Sequence, residues 1–206
     1  MKRFKQQMQH FWRQRRMSVF LTRMEVKSSY RIIDLGGTPE LWEMVEQDLD
    51  ITLLNFPEVI KSYQQLNFRH HYHFLAGDAC HLTDLKNSKF DLVFSNSVIE
   101  HVGSLQRQEA FAETVHKLAP RYWIQTPSLW FPIEAHCGLP FWWFYPQPIK
   151  QAWIHRWQQQ GRVFLWQQMS ETQVLTRRRL RFLFPKAQIY TEYVVGFPKS
   201  YSMYYL

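Results

Sequence analysis

The chain has 206 residues, 46% of them apolar and 20% charged, so it can bury a sizeable core and is not a disordered polymer. Its formal charge of +8 is unevenly spread: residues 1–31 hold nine Lys/Arg against Glu25 alone, 32–134 are acid-rich, and 135–206 hold nine bases against two acids. Two cysteines, Cys80 and Cys137, make neither a disulfide framework nor a zinc site by themselves, and the longest uncharged run, 135–149, is too short and too proline-broken to span a bilayer.

With no secretory signal in the first residues, a cytoplasmic protein is expected, with peripheral contact at the inner membrane face left open. Residues 3–24 carry Phe4, Met8, Phe11, Trp12, Val19 and Phe20 among Arg, Lys and Gln, which predicts one or two basic amphipathic helices. Residues 30–35 then read as a short buried strand running into the tight turn Gly36-Gly37. Thr38, Pro39 and Glu40 supply the N-cap, first-turn proline and first-turn acid of a helix presenting Leu41, Trp42, Val45 and Leu49. A second strand is expected at 51–54, a weaker helix at 58–65, a third strand at 71–75 closed by Gly77-Asp78, and a fourth at 90–94. Ser104 caps a helix to Leu118 with Leu105, Phe111, Val115 and Leu118 inward, and a fifth strand covers 122–125.

After Thr126 this rhythm stops for some forty residues, in which Pro127, Pro132, Pro140, Pro146 and Pro148 alternate with aromatic side chains. Ser170-Glu-Thr-Gln173 reads as a capping box for a helix ending at Phe184-Pro185. Two strands, 188–195 and 199–205, close the chain as an antiparallel pair. The alternation predicts an α/β fold: a doubly wound, mostly parallel seven-stranded sheet with helices on both faces. It is expected as one domain, 1–206, with a basic helical extension at 1–29 and an aromatic, proline-rich insertion at 128–169.

In a doubly wound sheet the ligand site lies beyond the carboxyl ends of the strands. There, Asp34-Leu-Gly-Gly37 lets backbone approach a ligand where a Cβ would collide, although an ordinary tight turn accounts for two glycines equally well. The full G-x-G-x-x-G fingerprint is absent and Glu40 would repel a pyrophosphate, which weighs against nicotinamide or flavin. His70, His71, His73 and His81 lack a Cys or Glu at ligand spacing, so no metal is predicted and a solvated or edge position accounts for them.

Residues 32–37 (IIDLGG), Gly77-Asp-Ala79 and, most specifically, 90–102 (FDLVFSNSVIEHV) resemble the motifs of class I S-adenosylmethionine-dependent methyltransferases of the type-11 group. The resemblance runs from Arg15 to Leu206 and implies a Rossmann-like methyltransferase fold with S-adenosylmethionine as cofactor. It implies that Asp34, Gly36 and Gly37 hold the methionine end. Asn55 then stands where such enzymes usually offer an acid to the ribose hydroxyls, and Phe56 lies against adenine or in the core. Asp78, with the Ala79 and Cys80 backbone, would receive the adenine, and Ser95 and Asn96 would pass beneath the sulfonium.

Methyl transfer from a sulfonium needs alignment, exclusion of water and, for an alcohol or phenol, a base. His101 and His136 are the candidate bases, with Glu100 and Glu134 to orient them; His101 serves equally well as a residue that fixes its loop. The stretch from Trp130 to His136, with Phe141 beyond it, resembles a lid, so Trp130, Glu134, His136 and Phe141 are placed on the acceptor side. The same aromatics read as a pocket wall or as a satellite core. The basic ends point to an anionic acceptor: a phosphorylated or lipid-linked sugar, an acidic lipid or, ranked behind them without a recognised RNA-binding module, a nucleic acid. Arg177, Arg178, Arg179 and Arg181 lie on one helix and read as a solvated face. O-methylation of a small or carrier-linked acceptor is the leading expectation. The alternative is a catalytically silent module of the same fold that binds a membrane surface or anionic polymer through its basic aromatic ends.

Overall fold

A computed structural model describes residues 2–63, 66–82 and 90–206. The chain divides into two compact units: Met1–Asn96 with Glu113–Ile124 and Tyr205–Leu206, and Ser97–Ala112 with Gln125–Tyr204.

The first unit opens on one helix, α1 (Lys2–Arg23), whose inward residues Met17 and Phe20 are spaced for a single face. Strand β1 (Arg31–Leu35) pairs in parallel with β2 (Asp50–Asn55) and β4 (Leu92–Asn96), and β2 in parallel with β3 (His71–Ala76). Ile32 to Leu35 are all buried, as befits an inner parallel strand covered on both faces. Phe20, Trp42, Phe94 and Trp123 meet edge to face, with centroids 4.7 to 5.9 Å apart, and form the aromatic centre of this core.

The helix expected to run to Leu49 stops after one turn, α2 (Pro39–Trp42). The Trp42 carbonyl accepts from the Val45 amide at 2.7 Å and from His70 Nε2 at 2.8 Å, so the ladder ends there while Val45 and Leu49 stay buried. His70 is therefore a buried structural side chain rather than a solvated one, whereas His71 and His73 are exposed. Helix α3 (Pro57–Lys61) ends short of the predicted 58–65; residues 64 and 65 lie outside the described residues, as does the side chain of Phe4.

In the second unit a 3-10 turn at Ile99–His101 leads to α4 (Leu105–Leu118), where the Ser104 hydroxyl accepts from the Arg107 amide at 3.3 Å. Leu105, predicted inward, is 54% exposed: it begins the helix, and its carbonyl is taken by the Arg179 guanidinium at 2.6 Å. Beyond β5 (Arg121–Pro127), two helices occupy the stretch read as irregular, α5 (Gln147–Gln159) and α6 (Val163–Glu171). Pro148 stands in the first turn of α5, where a missing N–H costs nothing. Trp142, Trp157 and Met169 form a buried cluster with Leu139, Trp153 and Trp166 packed against it, so this part of the insertion is a satellite core.

Ser170 to Gln173 close α6 instead of capping a new helix, because the Ser170 and Thr172 hydroxyls bond back to the Trp166 and Gln168 carbonyls. The actual cap is Thr176, which accepts from the Arg179 amide at the start of α7 (Arg177–Leu183). Strands β6 (Gln188–Val194) and β7 (Phe197–Tyr205) make the expected antiparallel hairpin, joined by Val195 and Gly196 with φ of 48° and 80°. Two positive φ values suit the twist of a two-residue hairpin turn. The seven-stranded sheet has the order β3-β2-β1-β4-β5-β7-β6, the fold class read from the sequence. Its order reverses between β1 and β4, so the crevice of a doubly wound sheet falls at their carboxyl ends. Among the described residues no helix is long and apolar enough to cross a membrane.

Candidate functional site

At the end of β1, Asp34 is 1% exposed. The Trp42 indole N–H donates to its Oδ2 at 2.8 Å, and Oδ1 has no hydrogen-bond partner among the described residues. Burial pushes its pKa from the ordinary 3.8 up to about 7, against the opposing pull of the Trp42 bond. Gly36, with φ of 78°, donates to the Leu54 carbonyl at 2.7 Å and so ties the loop to β2. A Cβ on Gly37 would run into the Asp34 carboxyl group, so the second glycine is dictated by the acid itself.

Asn55, at the end of β2, donates from Nδ2 to the Gly37 carbonyl at 3.0 Å and accepts the Phe56 amide at 2.8 Å. An aspartate could not make the first bond, which is a local reason for asparagine at this strand end. Phe56 is 56% exposed, which removes the core alternative for its ring. After β3, Asp78 Oδ1 accepts the Cys80 amide at 2.9 Å, Ala79 is half-buried and the Cys80 thiol is buried. After β4, the Ser95 hydroxyl donates to the Leu35 carbonyl at 2.9 Å, and Asn96 Oδ1 accepts from Arg16 of α1 at 2.8 Å.

In the second unit the two candidate histidines come together, with ring centroids 5.4 Å apart and planes nearly perpendicular. Glu134 is buried and collects three donors: the His136 amide and the Cys137 amide, each at 2.6 Å, and His136 Nδ1 at 2.8 Å. Burial alone would raise its pKa, but these hydrogen bonds outweigh it and hold the carboxylate below its ordinary value. With Nδ1–H given to Glu134, a neutral His136 carries its lone pair on Nε2.

His101 has its tautomer set in a similar way. The Thr172 hydroxyl donates to the Gln168 carbonyl at 2.7 Å, so it accepts from His101 Nδ1 at 3.0 Å. Burial, then the neighbouring His136, lower the His101 pKa to about 4. Glu100 is buried and accepts from the Thr126 hydroxyl at 2.9 Å, with its other oxygen 3.9 Å from His101 Nε2. Burial first, and Glu134 after it, push the Cys137 thiol up to about 12, which leaves it no thiolate character at neutral pH. Trp130 and Phe141 are exposed; Trp130 lies 5.1 Å from Phe144, and Phe141 takes a left-handed φ of 49°. Sequence reasoning missed Trp42, read as a helix-face residue, and Thr172, read as part of a capping box. Neither role has a periodic signal. Among the described residues no three His, Cys, Asp or Glu side chains gather as metal ligands.

A doubly wound α/β sheet with a buried acid and a glycine turn at its switch point is a fold of the Rossmann-like class. Residues 37–123 match the family described as Methyltransferase domain, in its type-11 group. Among solved structures it is similar to magnesium protoporphyrin IX methyltransferase (ChlM) from Synechocystis PCC 6803 with bound SAM, at 11% identity and a TM-score of 0.57, covering 95% of this chain and 79% of that one. The methyltransferase domain of bacterial CtHen1-CN is similar at 14% identity and a TM-score of 0.57, covering 94% and 97%. LepI in complex with SAM is similar at 12% identity and a TM-score of 0.52; 86% of this chain is covered, and it spans 43% of LepI. Likeness at these identities concerns the fold. No curated protein matches the sequence.

Proposed function

We propose that the protein is an S-adenosylmethionine-dependent methyltransferase that O-methylates a small or carrier-linked anionic acceptor. The observation that carries this reading is Asp34, a buried carboxyl at the switch point whose Oδ1 lacks a donor. A ligand bringing a cationic donor suits that oxygen, and the amino-acid ammonium of S-adenosylmethionine is one. Gly37 has no Cβ to displace the Asp34 carboxyl, and the exposed Phe56 ring offers a flat apolar face for a base. ChlM and LepI, which share the fold, were crystallised with SAM.

When bound, the cofactor supplies a methyl group on a positively charged sulfur. Asp34 would hold the ammonium, and Asn55, which fixes the Gly37 carbonyl, would have its second N–H to offer a ribose hydroxyl. Within the second unit, His136, oriented by Glu134, is the side chain that would take a hydroxyl proton on Nε2, with the neutral His101 beside it. The basic residues of 1–31 and 135–206 support an anionic acceptor. Calorimetric titration with S-adenosylhomocysteine, S-adenosylmethionine and NAD tests the reading: micromolar binding of the first two and none of NAD is expected, and the reverse pattern would overturn it. A second reading, a silent module of this fold, is favoured by Asn55, whose oxygen and one N–H are already engaged where a ribose acid is usual. Absence of binding by both sulfur ligands would select it.

A further inference from the structure

We infer that the N-terminal half of α1 is an arm that docks on the surface of an anionic lipid bilayer. The helix carries Lys2, Arg3, Lys5, Arg13, Arg15, Arg16 and Arg23 and no acidic residue. Among its described side chains the buried ones are in the second half, Arg16, Met17 and Phe20. Upstream, Met8 is 39% and Phe11 53% exposed, and Gln7, His10, Arg13, Gln14 and Arg15 are exposed as well. Met8, Phe11 and Arg15 recur at i, i+3 and i+7, so they share one side of the helix. Met8 and Met17 are about two and a half turns apart, which puts that side opposite the core-facing one. Among its described side chains the helix thus has apolar residues on two sides, and Met8 and Phe11 lie exposed on the one away from the core.

Charge and polarity decide what suits that outer side. The first turn of α1 has no acid and carries Lys2, Arg3 and Lys5. Arg15 lies over the Trp12 ring at 5.4 Å, and Trp12 meets Phe11 edge to face at 5.3 Å. Aromatic rings flanked by guanidinium groups match the boundary between headgroups and acyl chains. A nucleic acid offers phosphates but no hydrocarbon phase for Met8 and Phe11. A second copy of the helix would set seven bases against seven. An anionic bilayer supplies both the charge and the apolar phase.

The test is flotation of the full chain with phosphatidylcholine vesicles and with vesicles one-third phosphatidylglycerol. Binding is expected only to the anionic vesicles, weakening as salt is raised. Arg15→Gln lowers the partition coefficient about fivefold. The paired change Met8→Ser and Phe11→Ser lowers it about tenfold, since a buried Phe is lost. Phe182→Ser, which removes an exposed ring of the second unit, leaves it unchanged. All of these positions are exposed, and circular dichroism checks that each variant is folded. Equal binding to neutral vesicles, no flotation with either, or full binding by the Met8/Phe11 variant would overturn the inference. An oligonucleotide that strips the protein from the vesicles and binds the Met8/Phe11 variant as well as the wild type would reassign the arm to nucleic acid. None of these readouts depends on cofactor binding, so the arm and the methyltransferase reading stand or fall separately.

Discussion

Two buried carboxyl groups, one in each unit, are built in opposite ways. Asp34 receives a single donor, the Trp42 indole, and its pKa is raised to about 7. Glu134 receives three donors and its pKa is lowered. Burial penalises both anions, so the number of hydrogen bonds decides the sign. Glu134 is complete as it stands and works by fixing a loop and the tautomer of His136. Asp34 is incomplete and is costly to the fold while it is ionised. Its missing partner is best understood as a ligand, which is why the cofactor proposal rests on Asp34 and the orienting role on Glu134.

The most severe way to break this contrast is Gly37→Ala, since the added methyl would meet the Asp34 carboxyl. Loss of detectable S-adenosylhomocysteine binding is expected, with destabilisation of about 1–3 kcal/mol in urea unfolding. Unchanged affinity would show that the acid and the glycine turn do not form the ligand cradle.

Asp34→Asn should weaken S-adenosylhomocysteine about ten- to a hundredfold, the loss of a charge-assisted bond. The same change should raise the melting temperature at alkaline pH. The native carboxyl, with a pKa of about 7 against 3.8 ordinarily, binds its proton more tightly than the unfolded chain does. Its contribution to stability is therefore full below the unfolded value and lost as pH rises towards 7; asparagine escapes that loss. A variant that melts lower at every pH would contradict the incomplete-site account.

Glu134→Gln addresses the other half. One carboxylate oxygen becomes a donor facing donors, so a destabilisation of about 1–3 kcal/mol is expected with no change in S-adenosylhomocysteine affinity. Weakened cofactor binding in this variant would erase the division of labour. His101 gives a smaller, acid-side effect. Its folded pKa of about 4 lies below the ordinary 6.5, so stability is lost as pH falls from 6.5 towards 4, and His101→Gln should flatten that slope in urea unfolding. The smallest effect belongs to Arg179→Gln, which releases Glu109 and the Leu105 carbonyl for about 1 kcal/mol and leaves ligand affinity alone.

The parts of this fold that sequence reveals are those set by local pattern. β1 and β4 are apolar runs, Ser104 caps α4, and a break at Gly196 closes a hairpin, so the sheet type follows, although the turn falls at Val195-Gly196 rather than at 196–198. What pattern misses is set by long-range partners. Trp42 is drawn to Asp34 and its carbonyl to His70, which ends α2 early although Leu41, Trp42, Val45 and Leu49 keep helical spacing. Proline density masked α5, even though Pro148 sits where a first turn tolerates it. Ser170-Glu-Thr-Gln173 has the spacing of a capping box, but its hydroxyls bond backwards and end a helix. At the site, the resemblance to methyltransferase motifs named the candidate cofactor residues, and the structure puts them at the carboxyl ends of β1 to β4. That Asn55 already holds the Gly37 carbonyl and that Thr172 sets the His101 tautomer were not legible, because both depend on pairs far apart in sequence.

Calorimetric titration of S-adenosylhomocysteine into wild-type protein and Asp34→Asn across neutral pH tests the central claim most directly. Below about pH 7 the wild-type affinity should fall about tenfold per pH unit, with a proton released on binding, while the variant binds weakly and without that slope. Parallel pH profiles for the two proteins would contradict it, because the ligand would then take no notice of the Asp34 charge.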